Sequence, residues 1–193
     1  FGLDLSHSMT IAKPAKHAEV LLAHMVRFGA ILQGQFAGII GWDAVNLFLA
    51  PYLAGKTDKE VRQFAQMLIY EFSQMTAARG GQAIFTDIHL YWEVPAHFRN
   101  VPAIGPGGEF TGKTYDEYGE DARRFARAIF QVLKKGDAIG SPFIFPRPFV
   151  HITEKFFRTP GHDQFLEEVC DAAAEKGNPF FLFERSDDTQ MIC

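Results

Sequence analysis

Cysteine is almost absent from this chain: Cys170 and Cys193 are the only two in 193 residues. Two thiols build no disulfide framework, which excludes the stapled secreted scaffolds and fits a reducing compartment, here the cytoplasm. Excess charge of one sign is also missing. The 19 Lys and Arg against 23 Asp and Glu leave −4, which argues against non-specific binding to a nucleic-acid polymer but leaves room for a local phosphate site. Long apolar runs are lacking too. The longest uncharged stretch, Phe28 to Trp42, contains two Gln and four Gly and is too short and too polar to cross a membrane. No repeat, low-complexity tract or Ser/Gly linker divides the sequence, so residues 1–193 are expected to form a single domain. No secretory leader is visible. The chain starts at Phe1 rather than Met and finishes on a cysteine, so a piece of a longer protein is expected.

A composition of 47% hydrophobic and 22% charged residues is that of a folded globular protein. Helical spacing runs from about Lys13 to Ile40, with Pro14 suited to a first turn. Within it Ala30, Gly34 and Gly38 recur every fourth residue, a small-residue stripe that predicts close packing in a core or across a dimer. Thr57-Asp-Lys-Glu60 and Thr114-Tyr-Asp-Glu117 are capping boxes. The first opens a helix that Gly80-Gly81 should end, and the second opens one that Gly136 should end. A third helix is predicted from His162 to Lys176, with Phe165, Leu166, Val169, Cys170 and Ala173 inward. Gln82–Trp92, Phe143–Ile152 and Phe180–Glu184 read as largely apolar strands. Helices alternating with such strands predict an α/β fold with a mainly parallel sheet. Chemistry is then expected at strand C-terminal ends, where the last loop, Arg185 to Cys193, is one candidate.

Four groups of residues could carry that chemistry. Gly107-Gly-Glu-Phe-Thr-Gly-Lys-Thr114 fits the P-loop pattern, whose backbone N–H groups cradle phosphate. A buried strand must precede such a loop, and Asn100–Pro106 contains two prolines. A Gly/Pro turn into a capped helix is the preferred reading, with P-loop nucleotide binding as the alternative function. His89, Glu93 and His97 have the spacing of metal ligands on one helical face, but a strand covers His89 and Pro95 interrupts any helix. Satisfied polar contacts are expected there, and no metal ligand is assigned. His151, Glu154 and His162 could serve acid–base chemistry, although nothing local pairs them with a nucleophile. Cys193 lies on a polar loop two residues after Met191, placed for reaction, whereas Cys170 on its apolar stripe should be inert.

Several longer segments turn these fragments into a pattern. They are Lys13-Pro-Ala-Lys-His17, His24 to Gly38, Leu49-Ala-Pro-Tyr-Leu53, Gly80 to Asp87, Val101 to Gly108, and His151-Ile-Thr-Glu-Lys-Phe-Phe157. Taken in order they resemble the catalytic subunit of the anaerobic, class III (glycyl-radical) ribonucleoside-triphosphate reductases. The P-loop-like stretch is itself part of the resemblance.

The resemblance implies a ten-stranded α/β barrel around a finger loop, and this chain would be the part of that barrel that ends at the loop's cysteine. Cys193 would be the residue that becomes a transient thiyl radical, with Met191 beside it. It further implies a ribonucleoside triphosphate substrate, a homodimer, ATP or dNTP effectors, a reductant (formate or a thiol protein), and a radical activase using S-adenosylmethionine and an iron–sulfur cluster. Lys16, His17 and Gln33 are the candidate effector contacts, since cations and free N–H groups at a helix start suit a triphosphate. The partner cysteine, the glycyl radical and a four-cysteine structural zinc site are expected outside residues 1–193, and no ATP-cone is expected within them. The fragment alone is expected to be inactive. A non-catalytic helical interaction module built on the Ala30/Gly34/Gly38 stripe is a further rival.

Overall fold

The computed structural model describes residues 12–74 and 83–184. Four parallel strands form its sheet: β1 (Ile40–Trp42), β2 (Thr86–Tyr91), β5 (Arg147–Ile152) and β6 (Phe180–Phe183), side by side in the order β1-β2-β5-β6. The register pairs Trp42 with Ile88, Tyr91 with His151, and His151 with Leu182. Strands β3 (Pro102–Ile104) and β4 (Phe110–Thr114) form a separate antiparallel hairpin. The predicted α/β class with a parallel sheet is therefore observed.

The helices are α1 (Ala18–Gln35), α2 (Val45–Leu53), α3 (Asp58–Ser73), the short α4 (Ala96–Arg99), α5 (Gly119–Lys135) and α6 (His162–Lys176). Local signals set their ends. Thr57 Oγ1 accepts the Glu60 N–H at 3.3 Å while Glu60 accepts the Thr57 N–H at 2.8 Å, so the capping box at α3 is closed. The box at Thr114 is also closed, but it opens a 3-10 turn, Tyr115–Tyr118, from which α5 continues. In α5, Glu120 and Asp121 in the first turn and Lys134 and Lys135 in the last complement the helix dipole. Gly136 stops it at φ +77°, where an added Cβ would lie 2.6 Å from the Ser141 carbonyl oxygen.

The larger of two core clusters fills one side of the sheet, and a smaller one gathers Leu47 and Ala50 of α2 with Tyr91, Tyr115 and Tyr118. Ile88 and Leu90 of β2 and Val150 and Ile152 of β5 pack with Phe64, Leu68 and Phe72 of α3, Phe125 and Ile129 of α5, and Phe165 and Val169 of α6. Since side chains alternate along a strand, Asp87, His89, Tyr91, Phe149 and His151 project from the opposite face.

Three expectations are corrected. Helix α1 begins at Ala18 and ends at Gln35, so Pro14 precedes it and Gly38 follows it, and the run predicted to continue to Ile40 gives way to β1. Of the stripe, Ala30 packs against the core, whereas Gly34 and Gly38 are exposed. The buried glycine of the helix is Gly29, with Ile84, Trp42 and Phe72 at ordinary contact distance, 3.6 to 3.8 Å from a Cβ position. In α6 the buried residues are Phe165, Val169 and Ala172, and Cys170 is exposed. The stripe follows i, i+4, i+7, and Cys170 lies one residue, about 100°, past its centre.

Candidate functional site

Where β1 ends at Trp42, the hydrogen-bonding edge of β2 continues for three more residues with no strand beside it among the described residues. The side chain of Asn46, wholly buried on α2, takes the missing strand's place. Its Oδ1 accepts the Tyr91 N–H at 3.1 Å, and its Nδ2 donates to the Tyr91 carbonyl at 2.7 Å and to the Ala122 carbonyl at 3.2 Å. A carboxamide suits this position because, like a peptide group, it carries both donor and acceptor. Chain direction changes sharply here: Ala44 sits in the left-handed region at φ 46°, which turns the backbone from β1 into α2.

On the face away from the core the strands carry a compact polar and aromatic group. His89 stacks on Phe149 with ring centroids 5.0 Å apart, and Phe149 stacks on Phe180 at 5.0 Å. One row further along, Tyr91 stacks on His151 at 4.1 Å. The two imidazoles meet diagonally, His89 Nδ1 to His151 Nε2, at 2.8 Å. The other ring nitrogen of His151, Nδ1, is held by Glu184, the residue immediately after β6. Tyr91 Oη donates to Asp43 Oδ1 at 3.1 Å, Asp43 being the residue immediately after β1. Below this group Arg147 makes a bidentate pair with buried Asp87, at 2.7 and 2.9 Å, and lies over the rings of Phe149 and Phe180.

Burial sets the charge states. Both His89 and His151 are 1% exposed or less. Desolvation, reinforced at His89 by its neighbour His151, lowers the pKa of each to about 4, against a counter-pull from Asp43. Both rings are therefore neutral at pH 7. With His151 Nδ1–H donating to Glu184, its Nε2 is left with a lone pair, and His89 Nδ1–H donates to it. Desolvation, and then the negative charge of Asp43, hold Glu184 above the usual carboxylate range. Glu93, buried after β2 and accepting from the Thr153 hydroxyl, is raised for the same first reason. Neutral imidazoles beside acids of raised pKa can exchange protons or act as ligands.

The residues singled out in the sequence fare differently. Met191 and Cys193 lie outside the described residues. Lys16 and His17 are exposed at the start of α1, and Gln33, near its other end, donates to the Ala83 carbonyl at 3.4 Å. At ~1.5 Å per residue the two ends stand roughly 24 Å apart, so one chain does not bring all three together. His89 is in the core of the sheet rather than on a helix, as the rejected helical spacing required, and His97 is exposed on α4. Of the acid–base trio, His151 joins the cluster, while Glu154 is ion-paired with Arg158 at 2.6 Å and His162 contacts the Thr159 carbonyl.

The P-loop alternative fails on geometry. Its residues are the hairpin arm β4 and the turn before it. The Gly107 N–H donates to Ala15, Gly108 to Gly105, Lys113 to Thr111 and Thr114 to Glu117, so four of the N–H groups that would cradle a phosphate are committed. Lys113 Nζ rests 5.6 Å over the Tyr118 ring. Asp43, Tyr91 and Glu184 went unnoticed in the sequence. The available signal was polar residues at period two, Asp87-x-His89-x-Tyr91, inside a strand buried along its whole length.

Compared with known protein families, the chain matches the model described as anaerobic ribonucleoside-triphosphate reductase over residues 1–193. No curated protein matches it. Among solved structures it is similar to the anaerobic ribonucleotide reductase from Thermotoga maritima in complex with dATP and CTP, at TM-score 0.72 and 17% identity over 97% of this chain and 31% of that one. A second structure, described as anaerobic ribonucleotide reductase, gives TM-score 0.70 and 18% identity over 94% and 29%. The T. maritima enzyme with MES in the active site gives 0.71 and 16% over 94% and 31%. The chain thus spans about a third of the length of these proteins.

Proposed function

The chain belongs to the anaerobic ribonucleoside-triphosphate reductase family, and on that footing we propose that it is part of the catalytic barrel of an enzyme converting ribonucleotides to deoxyribonucleotides. The observation that carries this reading is the family match over every residue, supported by four parallel strands whose C-terminal ends gather buried, proton-bearing side chains.

Cys193 is the proposed radical relay, with Met191 two residues before it, in the sequence that follows Glu184. A glycyl radical elsewhere in the polypeptide, installed by an activase that uses S-adenosylmethionine and an iron–sulfur cluster, supplies the capacity to take the thiol hydrogen atom. The Cys193 thiyl then removes the 3′-hydrogen of the ribose, which opens the way to loss of the 2′-hydroxyl as water, and returns a hydrogen atom at the end. Formate or a thiol protein provides the two reducing electrons.

Effector binding by dNTP or ATP is proposed at Lys16, His17 and Gln33. Because these stand at opposite ends of α1, a single triphosphate meets all three only where two copies of the helix lie antiparallel, which favours a homodimer. No described helix is long and apolar enough to cross a membrane, in keeping with the proposed cytoplasmic enzyme. The fragment alone, without the parts that would hold the glycyl radical and the four-cysteine zinc site, is not expected to turn over.

The test is Cys193→Ser in the full-length protein. Effector binding and the glycyl signal in electron paramagnetic resonance should persist, while deoxyribonucleotide formation falls to background, because a hydroxyl gives up its hydrogen atom far less readily than a thiol. A serine variant that still forms deoxyribonucleotides at a sizeable rate refutes the assignment.

A further inference from the structure

We propose that Asp43, His89 and His151 form a binding site for one divalent transition-metal ion of the zinc class, with Glu184 orienting His151 from behind. The three residues come from successive neighbours in the sheet: the end of β1, the middle of β2 and the end of β5. One carboxylate oxygen and one nitrogen from each ring all lie within 4.8 Å of one another. A tetrahedral site with bonds of about 2.0–2.2 Å needs ligand atoms separated by roughly 3.4 Å. The two nitrogens, at 2.8 Å, have only to part slightly, and the carboxylate oxygen, already within 4.8 Å of both, has at most ~1.4 Å to move. The contact between the two ring nitrogens marks the place the ion would take.

Each ligand is also held from behind, as metal ligands are. Glu184 accepts from His151 Nδ1, which leaves Nε2 directed at the cluster. Tyr91 Oη holds Asp43 Oδ1 and leaves the other oxygen available. Stacking within 9° on Phe149 and 20° on Tyr91 fixes the planes of His89 and His151. Two imidazoles and a carboxylate select zinc, cobalt or ferrous iron over the oxygen-seeking Ca²⁺ and Mg²⁺. Three protein ligands leave at least one coordination position open for water or a substrate oxygen. The site is distinct from a four-thiolate zinc site, and it stands whether or not the reductase reading does.

The experiment uses full-length protein stripped with a chelator and titrated with Zn²⁺ and Co²⁺. Wild type should take up one equivalent more than the His89→Gln/His151→Gln double variant. The extra Co²⁺ should show visible d–d bands without sulfur-to-metal charge transfer, whereas cobalt on thiolates would show that charge transfer in both proteins. Glu184→Gln preserves shape and should weaken the extra site ~10–100-fold, which gives a readout even if the double variant fails to fold. Equal metal content and identical cobalt spectra in wild type and double variant would overturn the proposal. So would a Glu184→Gln protein that binds the extra ion as tightly as wild type.

Discussion

Replacing Asn46 should loosen the end of β2 far more than its small size suggests. Its amide bonds both the N–H and the C=O of Tyr91, and it ties both to α5 through the Ala122 carbonyl. Alanine at this fully buried position would remove the Asn46 bonds to the Tyr91 N–H and carbonyl, and the one to the Ala122 carbonyl, in a place away from water. A buried orphan costs about 1–3 kcal/mol, so the pair amounts to about 4 kcal/mol, or roughly a thousandfold in the local opening equilibrium. Asn46→Asp sharpens the test. It keeps the acceptor for the Tyr91 N–H but aims a carboxylate oxygen at two carbonyls that stood 2.7 and 3.2 Å from the amide nitrogen. At pH 7 it should be as damaging as alanine. Near pH 5 a protonated carboxyl can donate, and part of the loss should return. Hydrogen exchange read by mass spectrometry on the peptide spanning β2, together with melting temperature, measures both variants in the full-length protein. If the β2 amides of Asn46→Ala exchange as slowly as wild type and melting is unchanged, the account of Asn46 as a substitute strand is wrong.

Other outcomes follow from the same structure. Cys170, exposed on α6, should be alkylated readily under native conditions, and Cys170→Ser should change stability by less than about 0.5 kcal/mol; slow labelling would place it inward after all. Gly136→Ala puts a Cβ at φ +77° against the Ser141 carbonyl and should cost more than about 1 kcal/mol in thermal or urea melts, with no loss refuting the turn geometry. The pKa of Glu93 is raised by burial, so the folded chain binds a proton that the unfolded chain has released. Its contribution is therefore present below the unfolded carboxylate pKa and lost as pH rises through the folded one. Glu93→Gln should flatten that decline and leave the protein more stable at pH 7.5 than wild type; a steeper decline in the variant would reverse the sign of the argument.

Local relations were readable in the chain. The capping boxes at Thr57 and Thr114 involve residues three apart, and the stop at Gly136 depends on one residue's φ, so the sequence alone located them. The apolar strands β2, β5 and β6 and the parallel α/β arrangement were likewise visible, because a strand covered by helices shows up as a run of Ile, Leu, Val and Phe. The ordered segments shared with a known family carried the functional reading before any coordinates. Helix phase was less secure: one residue of rotation moves Cys170 from the stripe to solvent. P-loop spacing and hairpin spacing are also indistinguishable in composition, and at Gly107–Thr114 the hydrogen bonds chose the hairpin. The cluster at the strand ends was only partly legible: His89 and His151 stood out singly, and their meeting with Asp43 and Glu184 did not. Asp43, His89, His151 and Glu184 are separated by 46, 62 and 33 positions, and no short-range pattern relates them. Parallel pairing brings them together, because it lays the ends of strands distant in sequence side by side, and burial on that face then makes the imidazoles neutral.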